Sequence, residues 1–241
     1  MKGMLMVARR DLAAYLNNYW GYAIIAALLM LEGLMFNAFA LTDRPKYSAQ
    51  VIEEFFYLTF GFVCFASVIL SMRVVAEERQ TGTLVLLDAS PLQPWQIIVG
   101  KYLSAMTMVM FMVACTVYMP ALVLVNGKVS YGHLFAGYLG LGLLASATVG
   151  LGTLASTISR SQLVAGIVGA VLVVTLVVSW FLAKIVDPPL KDIFSYVSLL
   201  DRHFRGFMRG QINTEDVVFF LSIAFVGLMS STRFMAARRW R

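Results

Sequence analysis

Ala76–Lys101 reads AEERQTGTLVLLDASPLQPWQIIVGK. It opens on the charged run Glu77-Glu78-Arg79 and passes through an apolar segment carrying Leu84 and Leu87. It then breaks at Ser90-Pro91 and returns to apolar sequence after Gln93-Pro94. Pro91 forbids extension of a helix through it, whereas Pro94 suits the first turn of the next helix. Thr81 or Gln80 is placed to cap a short helix whose apolar side holds Leu84, Leu87 and Val85. Two roles fit such an insert. It could close a loop at a membrane surface with Glu77, Glu78 and Arg79 solvated, or it could be a docking knob that passes a partner's movement into the flanking helices.

The flanks decide the fold class. Of 241 residues, 60% are hydrophobic and only 13% charged, with a mean hydropathy of +0.79. Soluble domains carry about half apolar and about a quarter charged residues. Runs of ~20 apolar residues, each able to cross a ~30 Å hydrocarbon layer, recur at Trp20–Leu41, Phe55–Val75, Ile98–Val125, Leu134–Ile158, Leu163–Val186 and Val217–Arg233. The chain therefore reads as one all-α polytopic membrane domain over 1–241, with six transmembrane helices and no separable soluble unit. Pro120 predicts a kink near the far end of the third span. The sixth span is short, and Arg233 must snorkel to the interface.

Two further segments are amphipathic. In Met1–Tyr19 (1–19), Leu5, Ala8, Leu12, Tyr15, Leu16 and Tyr19 follow three-four spacing, with Lys2, Arg9 and Asn17 on another face. This predicts an interfacial helix. Ala38-Phe39-Ala40 resembles a cleavage site, but the regions before it are too long for a signal peptide and Glu32 interrupts them. In Asp187–Asp216 (187–216), Ile193, Tyr196, Val197, Leu200, Phe204, Phe207 and Met208 share a face opposite Ser198, Arg202, Arg205 and Arg209. This predicts an outer amphipathic helix before the last span. Asn213 or Thr214, followed by Glu215-Asp216, starts that span.

The net charge of +6 fits Lys and Arg gathered at cytoplasmic loops and anionic headgroups. No basic face with interleaved aromatics is present for nucleic acid. With both termini in the cytoplasm, the nineteen Lys and Arg divide eleven inside to eight outside, and the inner ones hug the span ends and include Arg238-Arg239-Arg241. This orientation places 76–97 in the cytoplasm and 187–216 outside.

Few residues invite chemistry. Glu32 lies midway along the first span, where an ionised carboxylate costs at least ~2.5 kcal/mol. It is a candidate for substrate contact or proton sensing, against a paired packing glutamate. Met106, Met108, Met110 and Met112 are core filling rather than a copper site, because a two-residue step turns about 200° around a helix. Gly142, Ser146 and Gly150 form a small-residue packing face. Cys64 and Cys115 sit in apolar runs as buried thiols. His133 and His203 fall on the side opposite Glu77-Glu78, which argues against a metal centre or protease. His203, between Arg202 and Arg205, reads as a solvated helix face. No GxxxxGK[ST] phosphate cradle is present, so the chain is not itself an ATPase.

The stretch EERQTGTLVLLDASPLQPWQIIVGKYLSA (77–105) resembles the permease subunits of ABC-2 type ABC transporters. The similarity rests on Glu78-Arg79, Gly82-Thr83-Leu84, Leu86-Leu87, Ser90-Pro91 and Gly100-Lys101. The segment SLLDRHFRGFMRGQINTEDVVFFLS (198–222) and the Arg-rich C-terminus are similar to the gliding-motility permease subfamily. The resemblance implies a multi-pass exporter subunit of the bacterial cytoplasmic membrane, paired with an identical or related permease. It also implies a dimer of separate ABC ATPase subunits, which bring ATP and Mg, with no cofactor on this chain. A coupling helix from Gly82 to Ala89 would enter a groove on the ATPase. Glu77, Glu78, Arg79, Gly82, Thr83, Leu84, Leu87, Ser90 and Pro91 would be its ATPase-coupling residues. In that scheme the charges pair with the ATPase or hold the insert at the span end, Leu84 and Leu87 fill the groove, and Pro91 sets the exit angle. A non-transporting membrane anchor, passing ATPase movement to a partner outside, is the alternative.

Overall fold

The computed structural model describes residues 2–17, 19–40, 47–84, 87, 92–126, 129–187 and 190–238. Among these, all regular structure is helical. Six helical stretches are long and apolar enough to cross a membrane: Gly21–Phe39, Ser48–Gln80, Pro94–Val125, Tyr131–Ile158, Gln162–Ile185 and Thr214–Ala237. The chain is thus an all-α polytopic membrane protein.

The first amphipathic helix is α1 (Lys2–Leu16). It is followed by α2 (Tyr19–Met35), which widens into a π-helical turn over Phe36–Ala40. The second span starts earlier than its hydropathy indicates, because α3 runs Ser48–Met72. Glu53 sits within α3 and accepts from Arg209 at 3.1 Å. The third span is α5 (Pro94–Cys115), and it breaks at Thr116–Val117 before α6 (Tyr118–Asn126). Pro120 is the cause. It lacks the N–H that would reach the Thr116 carbonyl, which instead accepts from Met119 at 3.0 Å.

The fourth span, α7 (Tyr131–Ile158), lies at the centre, against α3, α5, α8 (Gln162–Ile185) and α11 (Thr214–Arg238). Close approach to α11 depends on two glycines. A Cβ on Gly227 would stand 2.6 Å from the Gly150 carbonyl oxygen, and one on Gly150 3.0 Å from the Ala224 Cα. The small-residue face of α7 therefore packs within this chain. Gly142 of that face looks toward Met110 instead. Between α3 and α7, Phe55, Phe56 and Tyr138 form an edge-to-face cluster, with Phe55–Phe56 and Phe56–Tyr138 centroids 5.2 and 5.6 Å apart. Met108 and Met112 are buried core residues of α5, and Met110 is exposed.

Two amphipathic expectations need correction. On α1 the sheltered face is Met4, Val7, Ala8, Asp11, Leu12 and Tyr15, while Leu5 and Leu16, and Tyr19 at the start of α2, are exposed. The helix is rotated so that it presents Asp11 inward to a charge partner. The segment 187–216 is not one continuous helix. It forms α9 (Leu190–Val197), a π-helical turn over Leu199–Phe204 and α10 (Arg205–Met208). Ser198 starts the π turn by accepting from the Asp201 amide at 3.4 Å. Gly210, at φ +79°, ends α10 with the Gln211 amide reaching back to the Gly206 carbonyl at 2.9 Å. Phe204, Phe207 and Met208 are buried as expected, but Ile193 and Tyr196 are exposed.

Candidate coupling site

The charged run at Glu77-Glu78-Arg79 is not a solvated loop. Ala76–Gln80 forms the single-turn helix α4. Between α3 and α4 the chain turns over 73–75, which leaves amides unserved by the helix ladder. Ser156 of α7 fills the gap. Its Oγ accepts from the Val75 and Ala76 amides and donates to the Met72 carbonyl, each at 3.0 Å.

Thr81 closes α4, its hydroxyl donating back to the Glu77 carbonyl at 3.0 Å. Gly82 follows at φ +75°, a conformation that side-chain-bearing residues adopt only with strain. Leu84 and Leu87 were expected to fill a partner's groove. Both are instead buried in the core of this chain. Val85, Leu86, Asp88, Ala89, Ser90 and Pro91 lie outside the described residues, as do Arg239 and Arg241.

Each charge of α4 has a partner within the chain. Glu78 and three residues that sequence reasoning left out of the site close a ring of alternating charge. Arg10 meets Asp11 and Glu78 at 2.8 Å each. Lys101 meets Asp11 and Glu78 at 2.9 Å each. The ring joins α1, α4 and α5. Lys101 is almost fully buried, which is tolerable for an ammonium only because two carboxylates face it. Gly100 explains how α1 comes so near, since a Cβ there would stand 2.7 Å from the Met4 carbonyl oxygen. The Gly100-Lys101 pair is thus a close-approach point followed by a clamp.

Arg79 and Gln80 face the other way, toward the α7–α8 turn. The Arg79 guanidinium donates to the carbonyls of Thr157 at 2.6 Å, Ile158 at 3.1 Å and Ser159. These are the last carbonyls of α7, which have no intrahelical donor and sit at the negative helix end. The Gln80 side chain accepts from the Gln162 amide at the start of α8, at 3.3 Å. Glu77 forms a bidentate pair with Arg73 one turn earlier, at 2.9 and 3.0 Å.

A cavity of about 390 Å³ opens beside the ring, lined among others by Arg10, Tyr15, Glu77, Thr81 and Lys101. Tyr15 bounds it and donates to the Leu70 carbonyl at 2.9 Å. Burial pushes the Tyr15 phenol well above its ordinary range, so it stays a neutral donor. One signal in the sequence could have found this site. Asp11 is the only acid in an otherwise basic α1, and it lies on the three-four face with Leu12 and Tyr15.

Glu32 is remote from this cluster. It is fully buried between α2 and α3, and its Oε1 accepts from Thr59 at 2.6 Å. Both histidines lie at the opposite end of the bundle from α4, where His133 Nε2 meets the Met208 carbonyl at 2.6 Å. His203 is not on a solvated face. It is fully buried, stacked on Phe219 with centroids 3.7 Å apart.

No curated protein matches the sequence. The sequence family described as ABC-2 family transporter protein matches residues 8–202, from within α1 into the π-helical turn over Leu199–Phe204. With six membrane-crossing helices and α4 set against α1, α5 and α7, the chain belongs to the ABC-2 transporter family, whose members are membrane permease components of ABC transporters.

Proposed function

We propose that the chain is the permease subunit of an ATP-driven exporter, worked by a separate ATPase through α4 and the turn that follows it. The observation that carries this reading is the double grip of Glu78 and Arg79. Glu78 binds α1 and α5 through the charge ring, and Arg79 binds the end of α7. A push on α4 is thereby delivered to three elements together, and a rigid joint of this kind suits rocking between inward- and outward-facing states. The exposed turn Thr81–Thr83 is the surface offered to the ATPase. Leu84 and Leu87 hold the turn down from below. In this reading α4 and both termini face the cytoplasm, and the outer segment with α9 and α10 faces away from it.

Two such subunits, identical or related, and two ATPase subunits complete the transporter, with ATP and Mg on the ATPase. Similarity of 198–222 to the gliding-motility permeases supports a bacterial cytoplasmic membrane as the site of this assembly.

The test is reconstitution with the co-purifying ATPase in liposomes. Wild type is expected to show substrate-stimulated hydrolysis and export. Glu78→Gln is expected to bind the ATPase yet lose stimulation by at least about tenfold, or ~1.4 kcal/mol of coupling. Unchanged stimulation would overturn the assignment. Stimulation only by an extracytoplasmic protein, without export, would identify an anchor that passes force to a partner.

A further inference from the structure

We infer that the outer segment contains a proton-binding site, shared by His203 and Asp216, which latches α9 to the first turn of α11 while the proton is bound. His203 Nε2 lies 2.8 Å from the Tyr196 carbonyl oxygen, and Nδ1 lies 2.8 Å from Asp216 Oδ1. A carbonyl oxygen only accepts, so Nε2 carries a hydrogen. With Nδ1 bare and Asp216 ionised, two lone pairs would face each other in a site almost closed to solvent, which is repulsive. The contact therefore holds one more proton. Either an imidazolium donates to the carboxylate, or the carboxylic acid donates to a neutral imidazole, and the proton count is the same.

The surroundings favour a proton on that axis. Asn213 Nδ2 donates to Asp216 Oδ2 at 3.1 Å, which keeps that oxygen an acceptor. The face of Phe219 lies against the His203 ring and suits a cation. The other charged groups of the neighbouring elements are engaged or exposed. Asp201 pairs with Arg205 at 2.6 Å, Arg202 with Glu215 at 3.4 Å and Arg209 with Glu53 at 3.1 Å. On α8, Lys184 lies over Trp180 at 4.5 Å, and Lys191 and Asp192 of α9 are exposed. His133 of α7 is bonded to the Met208 carbonyl.

The consequence falls on α9. That helix has no buried residue, and Tyr196 is the carbonyl near its C-terminal end that the histidine holds. When the proton leaves, Nδ1 and Oδ1 repel and the tether from α9 to α11 opens. The latch is thus closed on the acid side and opens as pH rises. Since α9 packs on α8, the relation between the last two spans becomes sensitive to proton concentration at that face.

The full chain in lipid nanodiscs tests this. Imidazole ¹⁵N shifts and hydrogen exchange of 190–197, corrected for intrinsic rates, are followed from about pH 5 to about pH 9. The chain has two histidines, so His133→Gln assigns the signals. A His203 titration step that coincides with a rise of about threefold or more in α9 exchange is expected. Asp216→Asn places an amide donor opposite a neutral Nδ1, so the latch stays closed without a proton and the exchange step disappears. Wild type lacking a coincident step, or an Asp216→Asn protein that retains it, overturns the proposal. Should Asp216→Asn not fold, the wild-type titration alone decides.

Discussion

Lys101 Nζ stands 2.9 Å from both Asp11 Oδ2 and Glu78 Oε1, with its side chain only 3% exposed. One buried ammonium therefore joins the first amphipathic helix to the single-turn helix α4. Lys101→Met leaves two carboxylates crowded against each other with only Arg10 between them. Removing one partner of a buried ion pair costs roughly 3–5 kcal/mol. The lower end applies here, because Asp11 and Glu78 keep 15% and 18% of their side-chain surface exposed. Thermal unfolding in detergent should show this loss. Adding Glu78→Gln to Lys101→Met should recover part of it, because one of the crowded charges is then gone.

Arg79 reaches three successive carbonyls at the end of α7 with a planar fork. An ammonium is a point donor and cannot span them. Arg79→Lys is expected to keep the charge yet lose about 1.5–3 kcal/mol of hydrogen bonding to the charged group. Limited proteolysis at the α7–α8 turn, with Arg160 exposed there, should speed up in this variant. Unchanged cleavage would show that charge alone holds the turn.

Gly227 and Gly61 make a matched pair. A Cβ at Gly227 would stand 2.6 Å from a backbone oxygen of α7, and one at Gly61 would meet nothing within 4 Å. Backbone cannot step aside as a flexible side chain can. Gly227→Ala should therefore cost about 1–3 kcal/mol. Gly61→Ala should be neutral or gain up to about 1 kcal/mol from helix propensity. Differential scanning of both proteins in the same detergent checks the contrast.

Glu32 is sealed inside the subunit with Thr59 donating to it. Glu32→Gln keeps an acceptor for that hydroxyl, so folded yield and transport should match wild type. Thr59→Val removes the donor and should cost about 1–3 kcal/mol. Normal assembly of Glu32→Gln with lost export would instead place Glu32 on the substrate route.

The six spans were legible because hydropathy reports burial in lipid or protein alike. Their ends were less so. Ser48–Glu54 and Thr214–Asp216 are polar, but they are helical because caps and ion pairs, such as Glu53 with Arg209, satisfy them. The Pro120 kink was readable because its cause is covalent and local. Glu78 and Arg79 could be singled out from the sequence, but their partners could not, since Lys101, Asp11 and the α7 carbonyls are brought together only by packing. Leu84 and Leu87 were assigned outward because an amphipathic helix does not declare which neighbour covers its apolar side. His203 was read as solvated because arginines flank it. The π-helical turn over Leu199–Phe204 rotates it inward while Arg202 and Arg205 stay exposed.

The hydroxyl of Ser156 serves both amides left open where the second span bends, and hands its own hydrogen to a third peptide. That corner changes direction without becoming slack. If α4 is where the proposed ATPase pushes, the movement would pass through this stiff corner to α7 as well as to α1 and α5, rather than being lost in a floppy elbow.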